Sequence, residues 1–167
     1  MRPVFANSAF VAAPERLVFR GGAWRRVRLK VRYGLLWHPQ AGLVLIDTGY
    51  GRRVTEGLRS LPLRLYDAIL GPELVADGQP EVVLQRLGFT PDDVSAVILT
   101  HFHADHIAAL DRFAKARIIA KAGVLDRILH RPLRANLRHG IFPELLPTGL
   151  AARVADVDCF PFADAPL

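Results

Sequence analysis

The sequence predicts a single α/β domain over residues 1–167. Residues 27–36 alternate apolar and basic side chains, residues 43–47 and 95–100 are short unbroken apolar runs, and helical patterns fall between and after them. Alternation with period two marks a strand buried on one face, and a short continuous apolar run suits a fully buried strand. Strands alternating with short helices, without a repeat or a linker, describe an α/β fold with an antiparallel start and buried inner strands.

Each element has a local reason. The N-terminal "MRPVFANSAFVAAPERLVF" has an early arginine and small residues, but Asn7, Ser8, Pro14, Glu15 and Arg16 interrupt any apolar core, so it reads as mature protein rather than a secretion signal. In "VRLKVRYGLL", Val27, Leu29, Val31 and Tyr33 share one side, and Arg28, Lys30 and Arg32 the other. "HPQAG" is turn chemistry, with His38 as a turn residue, and "LVLID" is an inner strand reached through a hairpin. Residues 52–76 hold apolar periodicity broken by Pro62 and Pro72 and resist assignment. "QPEVVLQRLGF" is a short helix, with Pro80 in its first turn and Gly88 at its end. "TPDDV" is a turn or single helical turn, "SAVILT" a buried strand, and "HIAALDRFA" a helical continuation over 106–114. "ARIIA" is a further strand and "KAGVLDRILH" a further helix. One more strand is expected near 152–157, before the tail frays in Pro and Ala.

Composition narrows the function. Half the residues are hydrophobic (51%) and 23% are charged, a balance able to build a core. No apolar run approaches the roughly 20 residues of a membrane span. The net charge of +6 comes mainly from arginines spread along the chain, without a basic block or an interleaved aromatic platform. That distribution argues for solvated surface rather than a nucleic-acid interface. The lone Cys159 excludes an internal disulfide framework, fits a reducing cytoplasm, and reads as a small buried apolar residue.

The chemistry concentrates in "THFHADHIAAL". His101, His103, Asp105 and His106 follow directly on a buried strand, at the edge where α/β sheets gather reactive groups. A single histidine there is ordinary, and Asp105 alone would serve as a helix cap. Three imidazoles and a carboxylate together are a donor set for a borderline cation such as zinc. Residues i and i+2 of an extended segment point the same way, so His101 and His103 can share one ion. Asp105 and His106 project to a second position as the chain turns into a helix. Such a pair of positions suits two ions roughly 3.5–4 Å apart.

This H-x-H-x-D-H pattern resembles the signature of the metallo-β-lactamase-fold hydrolases, and "LVLIDTGYG" is similar to the strand and turn that precede it there. The resemblance covers roughly residues 25–125, and "HP…G…LIDTG" and "GIFPELLP" look most like the lactonase-like branch that includes N-acyl-homoserine lactonases. It implies a metallo-β-lactamase-like αββα sandwich, of which this chain would be the first half. It implies two divalent ions, zinc first, with iron, manganese or cobalt as alternatives. His101 and His103 would bind the first ion, Asp105 and His106 the second. Asp47, in the "DTG" turn, would stand behind them, although a turn-forming aspartate explains that position equally well. The implied reaction is attack by a metal-bridged hydroxide on an ester, lactone or thioester, with Asp105 also assisting proton transfer to the leaving group. The implied partner is a small molecule; no membrane is expected, a nucleic acid is disfavoured, and an oligomer is compatible with the sequence.

The departure from the family pattern is downstream. The family completes its site with a third histidine for the first metal, a bridging aspartate and a last histidine. After the motif only His130 and His139 remain, both early and in arginine-rich surroundings. The chain therefore reads as an incomplete domain whose C-terminal ligands lie elsewhere, with weak or absent activity by itself. Poor solubility or self-association through an exposed sheet edge is expected too. Two rivals follow: a phosphodiesterase or nuclease of the same superfamily, favoured by the basic charge, and a silent chain that binds metal weakly or is completed by a partner.

Overall fold

A computed structural model describes residues 3–159. Its centre is one seven-stranded mixed sheet. Strands β1 (Val4–Pro14), β2 (Arg26–His38) and β3 (Gly42–Ile46) run antiparallel in succession, and helix α1 (Glu15–Val18) caps the β1–β2 connection. After helices α2 (Arg52–Thr55) and α3 (Leu61–Leu70) comes the edge strand β4 (Glu73–Leu74), which pairs with β1. Helix α4 (Pro80–Arg86) then leads to β5 (Val94–Ile98), which lies parallel to β3. Helix α5 (Ala104–Ile107) precedes β6 (Arg117–Ala120). Helices α6 (Ala122–His130), α7 (Leu133–Leu137) and α8 (Leu150–Arg153) precede β7 (Val154–Asp156). The strand order is β4-β1-β2-β3-β5-β6-β7, the last four parallel.

The core forms where these strands present one layer. Leu45, Val97 and Ile118 stand opposite one another in register on β3, β5 and β6, and none has any exposed surface. Leu84 of α4, Ile107, Leu110 and Phe113 after the motif, and Leu125 and Ile128 of α6 belong to the same cluster. Each such side chain contributes about 1.5–3 kcal/mol by leaving water.

The alternating segment is β2, with Val31 and Tyr33 buried and Arg28, Lys30 and Arg32 exposed as the pattern requires. The hairpin, the inner strands and the helices at 80–86 and 122–130 also fall where expected. Four features differ. Strand β1 is absent from the sequence pattern because a bulge between Asn7 and Ala9 breaks the alternation, so that Ser8 and Ala9 are both buried. The helix expected over 106–114 is one turn long. The Thr48 amide and hydroxyl both donate to His106 O, and Ala109 N donates to Thr48 Oγ1, so the groups that would extend the helix are taken. The chain continues as a 3-10 turn at Leu110–Arg112. Asp105 is not the helix cap; His103 holds that position. Cys159 is exposed rather than buried, because it lies in a short turn after the last strand, past the packed layer. The expected fraying of the tail beyond 159 lies outside the described residues. Among the described residues, no helix is long and apolar enough to cross a membrane.

Candidate metal centre

The site is built where β3 and β5 end side by side. Ile46 and Ile98 are paired, and Asp47 N donates to Ile98 O at 2.8 Å, so the turns after the two strands leave the sheet together. "DTG" supplies the first turn. Asp47 adopts φ 58°, a left-handed conformation that aspartate tolerates better than most residues. Gly49 has φ 70°, and a Cβ there would run into Ser8 of β1. Only glycine fits, and the space belongs to Ser8, whose hydroxyl donates to Val31 O and accepts from Tyr50 N.

The second turn carries the histidines. One ligand atom from each of His101, His103 and Asp105 lies within 4.8 Å of the others. The His101 ring is 4.4 Å from that of His103 and 3.8 Å from that of His106, centroid to centroid. His106 joins the group through Asp105, with Nε2 3.2 Å from Oδ2. The four residues picked out by spacing therefore lie together, with the Asp105 carboxylate within reach of all three histidines. The donor set is two or three imidazole nitrogens and a carboxylate, which suits a divalent cation.

Asp47 faces this group from behind, with 8% of its side chain exposed. His106 Nδ1 donates to its Oδ2 at 2.7 Å, and Thr100 N donates to its Oδ1 at 2.9 Å. The Thr100 hydroxyl lies 2.8 Å from Asp47 Oδ2 and 3.0 Å from His101 Nδ1. Asp47 is thus both turn former and anchor. Thr100 is a contact the sequence hides, since a threonine ending an apolar run reads as ordinary strand chemistry. The signal available was its place directly before the first histidine and opposite the aspartate turn.

Charges follow from this packing. Burial, then the neighbouring histidines, push His101 below the ordinary imidazole range. Burial also lowers His103, outweighing the pull of Asp105. Burial acts most strongly on Asp105 and favours its neutral form, but the hydrogen bond and charge of His106 together bring it below the usual carboxylate range. Burial likewise disfavours charge on His106, yet its bonds to Asp105 and Asp47 push it up to about 9.

The other histidines stand apart from this group. His38 accepts from Gln40 N and Ala41 N, as a turn residue should. His130 is exposed beside Asp126. His139 is exposed too, near enough to depress His103 electrostatically, while the adjacent Gly140 carbonyl accepts from Ala104 N. A cavity of about 440 Å³ lined by Val4, Leu35, Trp37, Leu43 and Phe89 opens at the start of β3, away from the histidines, and carries none of this chemistry.

A mixed sheet whose parallel strands end in an aspartate turn and an H-x-H-x-D-H turn defines a class, and residues 28–141 match it: the chain belongs to the metallo-beta-lactamase superfamily. Membership implies divalent-metal binding. A probable metallo-hydrolase of Mycobacterium tuberculosis, Rv2300c, is 32% identical over 106 residues, covering 63% of this chain and 34% of its own. The N-acyl homoserine lactonase AiiA of Bacillus thuringiensis subsp. kurstaki is 25% identical over 110 residues, covering 66% and 43%. The solved structure of a quorum-quenching N-acyl homoserine lactone hydrolase superposes with a TM-score of 0.71 at 21% identity, over 93% of this chain and 56% of that one. AidC, a dizinc quorum-quenching lactonase, superposes with a TM-score of 0.63 at 17% identity, over 97% and 60%. This chain spans less than two thirds of each of these relatives, and its fold is a part of the metallo-beta-lactamase fold.

Proposed function

We propose that this chain carries the histidine-rich half of a metal-dependent hydrolase centre acting on a small ester, lactone or thioester. The convergence of His101, His103 and Asp105 within 4.8 Å carries the proposal. His101 and His103 would hold one divalent ion, and Asp105 with His106 a second, zinc being the first choice on donor chemistry. Bound ions supply Lewis acidity towards a carbonyl or phosphoryl oxygen and make water acidic enough to ionise near neutral pH. The chain's own part is to present unprotonated His101 and His103, which their depressed proton affinity favours, and to hold His106 against Asp47. Asp105 is placed to hold its ion and to pass a proton to a leaving group.

Lactones are favoured within that substrate class by the lactonases among the relatives. The phosphodiesterase alternative draws support only from the basic charge, and four of those cations are paired: Arg28 with Glu73, Arg59 with Asp67, Arg86 with Asp77 and Lys115 with Asp92.

Zinc titration of the wild-type chain and of His103→Ala tests the centre. The wild type should show a site that the variant lacks; equal binding by both would remove His103 from the ligand set. In a hydrolytically active form of the protein, His103→Ala should abolish hydrolysis together with metal retention. Turnover of an N-acyl homoserine lactone, compared with a bis-phosphate ester, decides the substrate class.

A further inference from the structure

We propose that Thr100 is a positioning residue: its hydroxyl links His101 to Asp47 in a one-way hydrogen-bond chain that fixes the His101 proton on Nδ1 and leaves Nε2 open to a metal. The proposal rests on the metal-centre reading and adds to it the residue that orients the first ligand.

The direction of the chain follows from counting donors. A carboxylate only accepts. Asp47 faces three groups: His106 Nδ1 at 2.7 Å, Thr100 N at 2.9 Å and Thr100 Oγ1 at 2.8 Å from Oδ2 and 3.1 Å from Oδ1. All three must donate. The threonine hydroxyl has one proton, and a bond to a charged acceptor is roughly twice as strong as a neutral one, so that proton goes to Asp47. The Thr100 oxygen then has only lone pairs to offer His101 Nδ1 at 3.0 Å, and this contact is favourable only if Nδ1 carries the hydrogen. The reverse polarity would set an oxygen lone pair against a carboxylate oxygen at 2.8 Å. His106 is fixed in the same sense without an intermediary, since its Nδ1 donates directly to Asp47. One carboxylate therefore keeps a proton on Nδ1 of two rings, one by contact and one through Thr100. Partners of this kind orient a ligand ring and raise its basicity, and losing one costs about 10–100-fold in metal affinity.

The test begins without metal. Nitrogen-15 NMR of the metal-free wild-type chain, at mildly alkaline pH, should place the His101 proton on Nδ1. In Thr100→Val the proton should shift towards Nε2, and zinc affinity should fall about 10–100-fold. Thr100→Ser, which keeps the hydroxyl, should restore both. A wild-type His101 carrying its proton on Nε2 would overturn the proposal, as would a valine variant with unchanged tautomer and affinity. Should the valine variant not fold, the wild-type spectrum still decides. A wild-type chain that takes up no zinc would count against the metal centre itself, whereas the tautomer, read without metal, judges Thr100 separately.

Discussion

Asp47 combines an unfavourable backbone with a heavily used side chain. Its left-handed φ of 58° is a conformation in which a glycine would rest more easily, yet its carboxylate answers Thr100 twice and His106 once. Replacement separates the two contributions. Asp47→Ala should lower unfolding free energy by about 1–3 kcal/mol, because Thr100 and His106 lose a buried, charged acceptor while the backbone remains strained. Asp47→Gly should cost less stability but weaken zinc binding as much, about 10–100-fold. Urea denaturation and zinc titration of the two variants check this, and equal stability losses would show that φ at this position is not costly. The cluster at 101–106 was legible in the sequence because its residue types are chemically unusual together. Thr100 was not, because a hydroxyl's role depends on what the fold sets opposite it.

Among the elements, the short helix after the motif departs furthest from its pattern. Apolar spacing through residue 114 continues helically, but spacing reports only which side is buried, not where hydrogen bonds go. Thr48 intercepts the helix by binding His106 O and Ala109 N, which ties the aspartate turn to the histidine turn. Thr48→Val should leave Ala109 N without that acceptor and cost about 1–3 kcal/mol in urea denaturation, with weaker zinc binding as His106 loosens. Unchanged zinc affinity would show that His106 is held by Asp47 alone. Strand β1 was illegible for a related reason. Its bulge places two successive residues, Ser8 and Ala9, in the interior, which no period-two reading allows.

For the molecule as a whole, the run of parallel strands could be read from the unbroken apolar segments, since strands covered on both faces need no alternation. The order of the other edge, β4-β1-β2, could not, because β4 has two residues and pairs with a strand some sixty positions earlier. Stability should rest on the layer shared by Leu45, Val97 and Ile118. Leu45→Ala should cost about 2–5 kcal/mol through a cavity between β2 and β5, read as a lower urea midpoint with unchanged slope. A loss below about 1 kcal/mol would place the core elsewhere.

The hydrogen bonds from Thr100 to Asp47 join positions 53 apart in sequence. During synthesis, the aspartate turn must wait for the later strand to emerge and dock before it can steady any imidazole. Until then the histidines are loose donors on a mobile chain. Orientation of the histidines by Asp47 is thus a late event in folding, available only once β3 and β5 have paired.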